Sequence, residues 1–105
     1  MKDFVTWIQS NFGPSMNWDN HGEKWHIDHV VPCAWFDLTD LDERVTCFHW
    51  SNMRPLTSEK NLSRGDTCSL KELLNQEIKA KAYNKSVNFK PLITKLTEKF
   101  VSGPS

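Results

Sequence analysis

The chain has 105 residues, enough for one small domain and not two. Hydrophobic residues make up 38% and charged residues 25%, and five Trp and six Phe supply core area that the aliphatic residues do not. Thirteen basic and thirteen acidic residues cancel, which excludes a strongly basic nucleic-acid coat but leaves room for a local basic patch.

The three cysteines, Cys33, Cys47 and Cys68, form no CxxC pair, so buried free thiols in a reducing compartment are expected, and no structural zinc. No apolar run approaches membrane-spanning length and none follows Met1, so a soluble, intracellular chain is expected.

Lys2 to Phe12 is expected to be a helix: Phe4, Val5, Ile8 and Phe12 recur at helical spacing with Trp7 beside them, and Asp3 suits the first turn. Gly13-Pro14 ends it. Residues 15–24 are turn-rich, with Met16 and Trp18 as buried anchors and His21 on the surface. Trp25 to Val31 alternates like a strand and closes at Pro32. Residues 33–46 form a long connection in which Asp40 to Arg44 could make a short helical turn, and the acids between Asp37 and Glu43 read as a solvated face rather than as metal ligands. Cys47 to Met53 reads as a second strand, stopped by Pro55.

Residues 57–64 read as a short helix, with Thr57 or Ser58 as N-cap and Gly65 as the stop. Ser69 and Glu72 frame a capping box that starts a helix to Tyr83, with Leu70, Leu73, Leu74, Ile78 and Ala82 as its apolar stripe. A last helix, Phe89 to Val101, takes Pro91 in its first turn and buries Leu92, Ile93, Leu96 and Phe100. Residues 1–101 then form a single domain and Ser102-Gly103-Pro104-Ser105 a tail.

Trp25-His26-Ile27-Asp28-His29-Val30-Val31-Pro32 concentrates the chemistry. On a regular strand His26 and Asp28 share one face, and Ile27 and His29 the other, unless a bulge re-aims His29. Asp28 can hold a hard cation, and neutral His29 can take a proton from water. The alternative is a half-buried strand with hydrogen-bonded histidines. Asn61 follows Asn52 by nine residues, and a helical turn after a strand could return it toward Asp28. That would offer a carboxylate oxygen and an amide oxygen to one divalent cation.

Three pieces in this order, Ile27 to Pro32, Cys47 to Leu56 and Glu59 to Asp66, resemble the HNH endonucleases, whose core is the ββα-metal motif. The spacing from Asn52 to Asn61 is similar to that in RNA-guided DNA nucleases and some phage homing endonucleases. Small HNH proteins of phages and large DNA viruses share a run like Met16-Asn17-Trp18-Asp19-Asn20 followed by Gly22 and Trp25 to His29. The resemblance covers Phe12 to Asp66. It implies an α+β fold: a two-stranded antiparallel sheet plus a short helix, over about residues 25–66, with flanking N- and C-terminal helices.

The resemblance also implies metal-dependent hydrolysis or nicking of DNA phosphodiesters. His29 would be the general base, and Asn52 would hold the loop that orients it. Asp28 and Asn61 would bind one Mg²⁺ or Mn²⁺. Arg64 would contact the scissile or flanking phosphate, with Lys60, Arg54 and His26 as further DNA contacts; Lys60 and Arg54 read equally as surface charges, and His26 also as a metal ligand or a supporting histidine. The chain departs from many HNH proteins in lacking two CxxC pairs and in its neutral charge. The neutral charge points to weak or nonspecific DNA binding alone, or to a protein partner or homodimer. Two other functions stay open: a noncatalytic nucleic-acid-binding module on the same fold, and a zinc module using His26, His49, Cys33 and Cys47, whose spacings fit no common zinc pattern.

Overall fold

The structure is a computed structural model and describes residues 2–101. Helix α1 runs Lys2–Ser10 and buries Trp7 and Ile8, while Val5 faces out. Asn17 then caps a single 3-10 turn, Trp18–Asn20, its side chain accepting from the Asn20 N–H. Met16 is half-buried, but Trp18 is exposed rather than an anchor. Its ring meets Phe12 and Trp25 edge-on and so roofs the fully buried Trp25.

Strand β1, Trp25–His29, is shorter than expected: Val30 and Val31 lie fully buried in the turn that follows. Residues Cys33–Trp35 make a 3-10 turn, and α2 spans Leu41–Phe48 with Asp40 as N-cap. Cys47 and Phe48 therefore end a helix. The expected strand from Cys47 to Met53 does not exist; His49 caps a 3-10 turn, Trp50–Asn52, through Nδ1.

The partner strand is β2, Met53–Thr57, antiparallel to β1, with Trp25 opposite Thr57, Ile27 opposite Pro55 and His29 opposite Met53. Pro55 sits inside this strand instead of stopping it. A two-stranded sheet turns alternate N–H groups away from the partner, so a proline is tolerated at such a position.

Helix α3, Ser58–Arg64, follows β2 directly and packs on both strands. Thr57 Oγ1 accepts from the Lys60 N–H, and Gly65 ends the helix at φ 64°, a left-handed backbone that favours glycine. Helix α4, Leu70–Tyr83, opens with the expected capping box between Ser69 and Glu72. Its buried side is Leu73, Gln76 and Ala80, whereas Leu70, Leu74, Ile78 and Ala82 stay exposed. Gln76 overrides the apolar stripe because its amide donates to the carbonyls of Ser51 and Met53, both at 2.9 Å.

Helix α5, Lys90–Val101, buries Leu92 and Leu96, with Ile93 half-buried; the expected burial of Phe100 and the tail 102–105 lie outside what is described. Lys95 pairs with Glu43 and so ties α5 to α2. The rings of Trp7, Trp50 and Tyr83 meet at 5.1–5.4 Å and join α1, the 50–52 turn and α4. The result is an α+β fold of five α-helices and one two-stranded sheet among the described residues. None of those helices is long and apolar enough to cross a membrane.

Candidate functional site

The turn between β1 and residue 33 is fixed by one side chain. Asn52 is fully buried; its Oδ1 accepts from the Val31 N–H at 2.8 Å, and its Nδ2 donates to the carbonyls of Val31 at 3.1 Å and Cys47 at 3.0 Å. Its own carbonyl accepts from the Val30 N–H at 2.9 Å. A side chain with both amide ends satisfied holds the backbone just after His29 in one conformation.

Asp28 is 7% exposed and is held by two arginines. Arg54, its cross-strand partner, donates from Nε to Oδ2 at 3.0 Å. Arg64, at the end of α3, donates from one terminal nitrogen to Oδ1 at 3.1 Å and to the His29 carbonyl at 3.0 Å. Its other terminal nitrogen donates to the Val30 carbonyl. Arg64 thus binds side chain and backbone of one strand end, which a lysine could not do. Both arginines approach Glu72 of α4, at 4.0 and 3.8 Å.

Arg54, Arg64 and Lys60 line a cleft of about 440 Å³, with Ser63, Thr67 and Glu72 on its walls. Three of the four residues expected to meet DNA therefore converge. The fourth, His26, is half-buried on the Asp28 face of β1 and forms no side-chain hydrogen bond among the described residues. Asn61 is half-buried on α3, one turn before Arg64, and its amide has no hydrogen-bond partner among the described residues.

His29 occupies a different environment. The ladder is regular through β1, so His29 points to the face opposite Asp28. Its ring packs edge-on against Phe48 at 5.2 Å. A ring nitrogen of His29 and the Sγ atoms of Cys33 and Cys47 lie within 4.8 Å of one another, and the two sulfurs are 3.4 Å apart. Burial holds the His29 pKa below its ordinary value; the Asp28 carboxylate pulls it up and the Arg64 guanidinium pushes it down. Burial, and then Cys33, push the Cys47 thiol up to about 12.

Two buried side-chain nitrogens lack a partner among the described residues: His29 Nε2 and Arg64 Nε. The first lies on the side of β1 that holds Cys33 and Cys47 and the second on the Asp28 side, and orphaned buried donors and acceptors are rare enough to need a cause. The sequence joins Cys33 and Cys47 only in a zinc group with His26 and His49, without His29, and the fourteen-residue separation of the two cysteines marks no such group. The available hint was the His29-x3-Cys33 spacing at the end of a strand. Neither His26 nor His49 belongs to that group. His49 instead accepts from the Ser51 N–H, with its ring against Trp50.

No family model matches the chain, and no solved structure does. Two uncharacterized proteins of Acanthamoeba polyphaga mimivirus are similar to it. One is 52% identical over 63 residues, covering 60% of this chain and 28% of the viral protein. The other is 40% identical over 85 residues, covering 81% of this chain and 37% of the viral protein. The chain thus spans about a third of the length of the curated relatives it matches.

Proposed function

We propose that the chain is a metal-dependent endonuclease domain of the ββα-metal, HNH type that hydrolyses DNA phosphodiesters. The observation that carries this reading is the cleft lined by Arg54, Arg64 and Lys60, in which both arginines hold Asp28 and Arg64 Nε is buried and unpaired among the described residues. The order β1, β2, α3 with Asn52 bracing the turn after His29 supports it.

Asp28 and Asn61 fit a hard divalent cation in kind. Each oxygen of Asp28 accepts one guanidinium hydrogen and keeps a further lone pair, and the Asn61 amide oxygen is uncommitted among the described residues. Mg²⁺ or Mn²⁺ held there would supply Lewis-acid polarisation of a phosphate oxygen. Arg54, Arg64 and Lys60 bind the phosphate backbone from their shared cleft, where Arg64 Nε gains the oxygen it lacks. His29, which points to the face of β1 opposite Asp28, accepts the proton of the attacking water once its ring turns toward the cleft, and its lowered pKa keeps a ring nitrogen unprotonated at neutral pH. Asn52 acts as a positioning residue through the Val30–Val31 backbone.

A second reading, a nucleic-acid-binding module without turnover, is favoured by the burial of His29 Nε2 and by the two arginines already on Asp28. Cleavage of supercoiled plasmid in Mg²⁺, Mn²⁺ and EDTA separates the two. The endonuclease nicks only with metal, and His29→Ala loses nicking while keeping DNA binding. Binding without product in either metal, or unchanged nicking by His29→Ala, overturns the endonuclease.

A further inference from the structure

We infer that His29, Cys33 and Cys47 form a binding site for a thiophilic divalent cation such as Zn²⁺, separate from the hard-cation donors Asp28 and Asn61. The three donors come from three pieces of chain: the end of β1, the 3-10 turn 33–35 and the last turn of α2. Their ligand atoms already lie within 4.8 Å of one another. Zinc–sulfur and zinc–nitrogen bonds are about 2.3 and 2.0 Å, so around a tetrahedral ion two sulfurs stand roughly 3.8 Å apart and a sulfur and a nitrogen roughly 3.5 Å. The sulfurs, at 3.4 Å, need to part by only about 0.4 Å to take an ion.

A second observation points the same way. His29 Nε2 is buried with no hydrogen-bond partner, and a coordinating nitrogen is what such an atom can be. The imidazole and thiols are softer donors than the carboxylate and amide across the strand, which selects zinc over magnesium. Binding forms two S–Zn bonds and one N–Zn bond and releases the two thiol protons to solvent, with no change of oxidation state. Three protein ligands leave the fourth position to water.

The ion would staple the end of β1 to α2, around the turn that Asn52 holds. It would also take the His29 nitrogen, so the zinc-loaded and proton-accepting forms of His29 are alternatives; that consequence rests on the endonuclease reading, whereas the site does not.

The test is Co²⁺ titration of the reduced, chelator-stripped chain, followed by the thiolate-to-cobalt charge-transfer band. One Co²⁺ per chain, displaced by Zn²⁺, is expected. Cys33→Ser, at a half-buried position, should lose most of the band and weaken binding at least about tenfold, since even groups behind the ligands change affinity about 10–100-fold. Cys68→Ser, outside the group, should leave it unchanged. No band in the unaltered chain, or an undiminished band in a Cys33→Ser variant with unaltered circular dichroism, overturns the site. Plasmid nicking plays no part in this readout, so failure of the site and failure of the endonuclease are distinguishable.

Discussion

Arg64 reaches back 36 residues to the Asp28 carboxylate and, with the same guanidinium, to the carbonyls of His29 and Val30. It latches α3 to the end of β1, and its side chain is 9% exposed. Truncation strands a buried carboxylate beside Arg54 alone and two carbonyls with fewer donors. Arg64→Ala is expected to cost about 3 kcal/mol, read as a lower urea midpoint at unchanged slope. Arg64→Lys should recover only part of it, because an ammonium cannot span three acceptors in a plane. A loss within about 0.5 kcal/mol, the range of ordinary surface changes, would show that the latch is idle.

Asn52 makes its three side-chain hydrogen bonds with no exposure to water. Asn52→Ala leaves an N–H and two carbonyls buried and unpaired, each worth about 1–3 kcal/mol in the worst case. A total near 3 kcal/mol is expected after relaxation. If the Val30–Val31 turn is what positions His29, hydrogen exchange at those two amides should accelerate more than at β2. Uniform acceleration would assign Asn52 to global stability alone.

Arg54 and Lys60 reach the cleft from β2 and α3. If each neutralises one DNA phosphate, the log–log dependence of affinity on salt should become shallower by about one unit for each residue changed to alanine. Lys60 is the cleaner probe, since Arg54 also holds Asp28. An unchanged slope in Lys60→Ala would move the DNA path off this cleft.

Burial lowers the His29 pKa below 6.5. The folded chain therefore takes up this proton at lower pH than the unfolded chain. The stability linked to it is fully present above pH 6.5 and is lost as pH falls through the folded value. His29→Gln should remove that part of the acid sensitivity in urea midpoints measured against pH. The same shift keeps the base unprotonated on mild acidification, so the acid limb of cleavage is expected below pH 6.5. A limb above that value would assign the step to another group.

Helix α4 gives a direct check on which face is the core. Leu73 is fully buried, whereas Ile78 is 69% exposed. Leu73→Ala should cost about 2–5 kcal/mol and Ile78→Ala about 0.5 or less. Equal costs would mean that another surface covers Ile78.

That helix also shows where the sequence was a good guide and where it was not. Capping chemistry is local, so Ser69, Thr57 and Gly65 marked their helix ends correctly. The α4 face was set by two distant carbonyls that only Gln76 could reach, and no periodicity encodes them. Cys47-Phe48-His49-Trp50 looks like a strand by composition, but Asp40 starts a helix that runs through Phe48. Pro55 then discouraged the correct strand. At the site, the Asn52 brace on the turn after β1 was legible from residue order, and Arg54, Lys60 and Arg64 do line one cleft. The guanidinium grip on Asp28 and the His29–Cys33–Cys47 group depend on which face of β1 each side chain takes and on where α2 ends.

The carbonyl of Met53 accepts from the Trp7 indole at 2.8 Å and from the Gln76 amide at 2.9 Å. One backbone oxygen at the start of β2 is thus the meeting point of the first helix and the fourth. Residues 25–66 are consequently not a transplantable cassette: excising them would expose that oxygen, uncover Trp25 and Met53, and remove the scaffolding on both sides of the sheet. Engineering that grafts this unit onto another protein has to carry α1 and α4 with it.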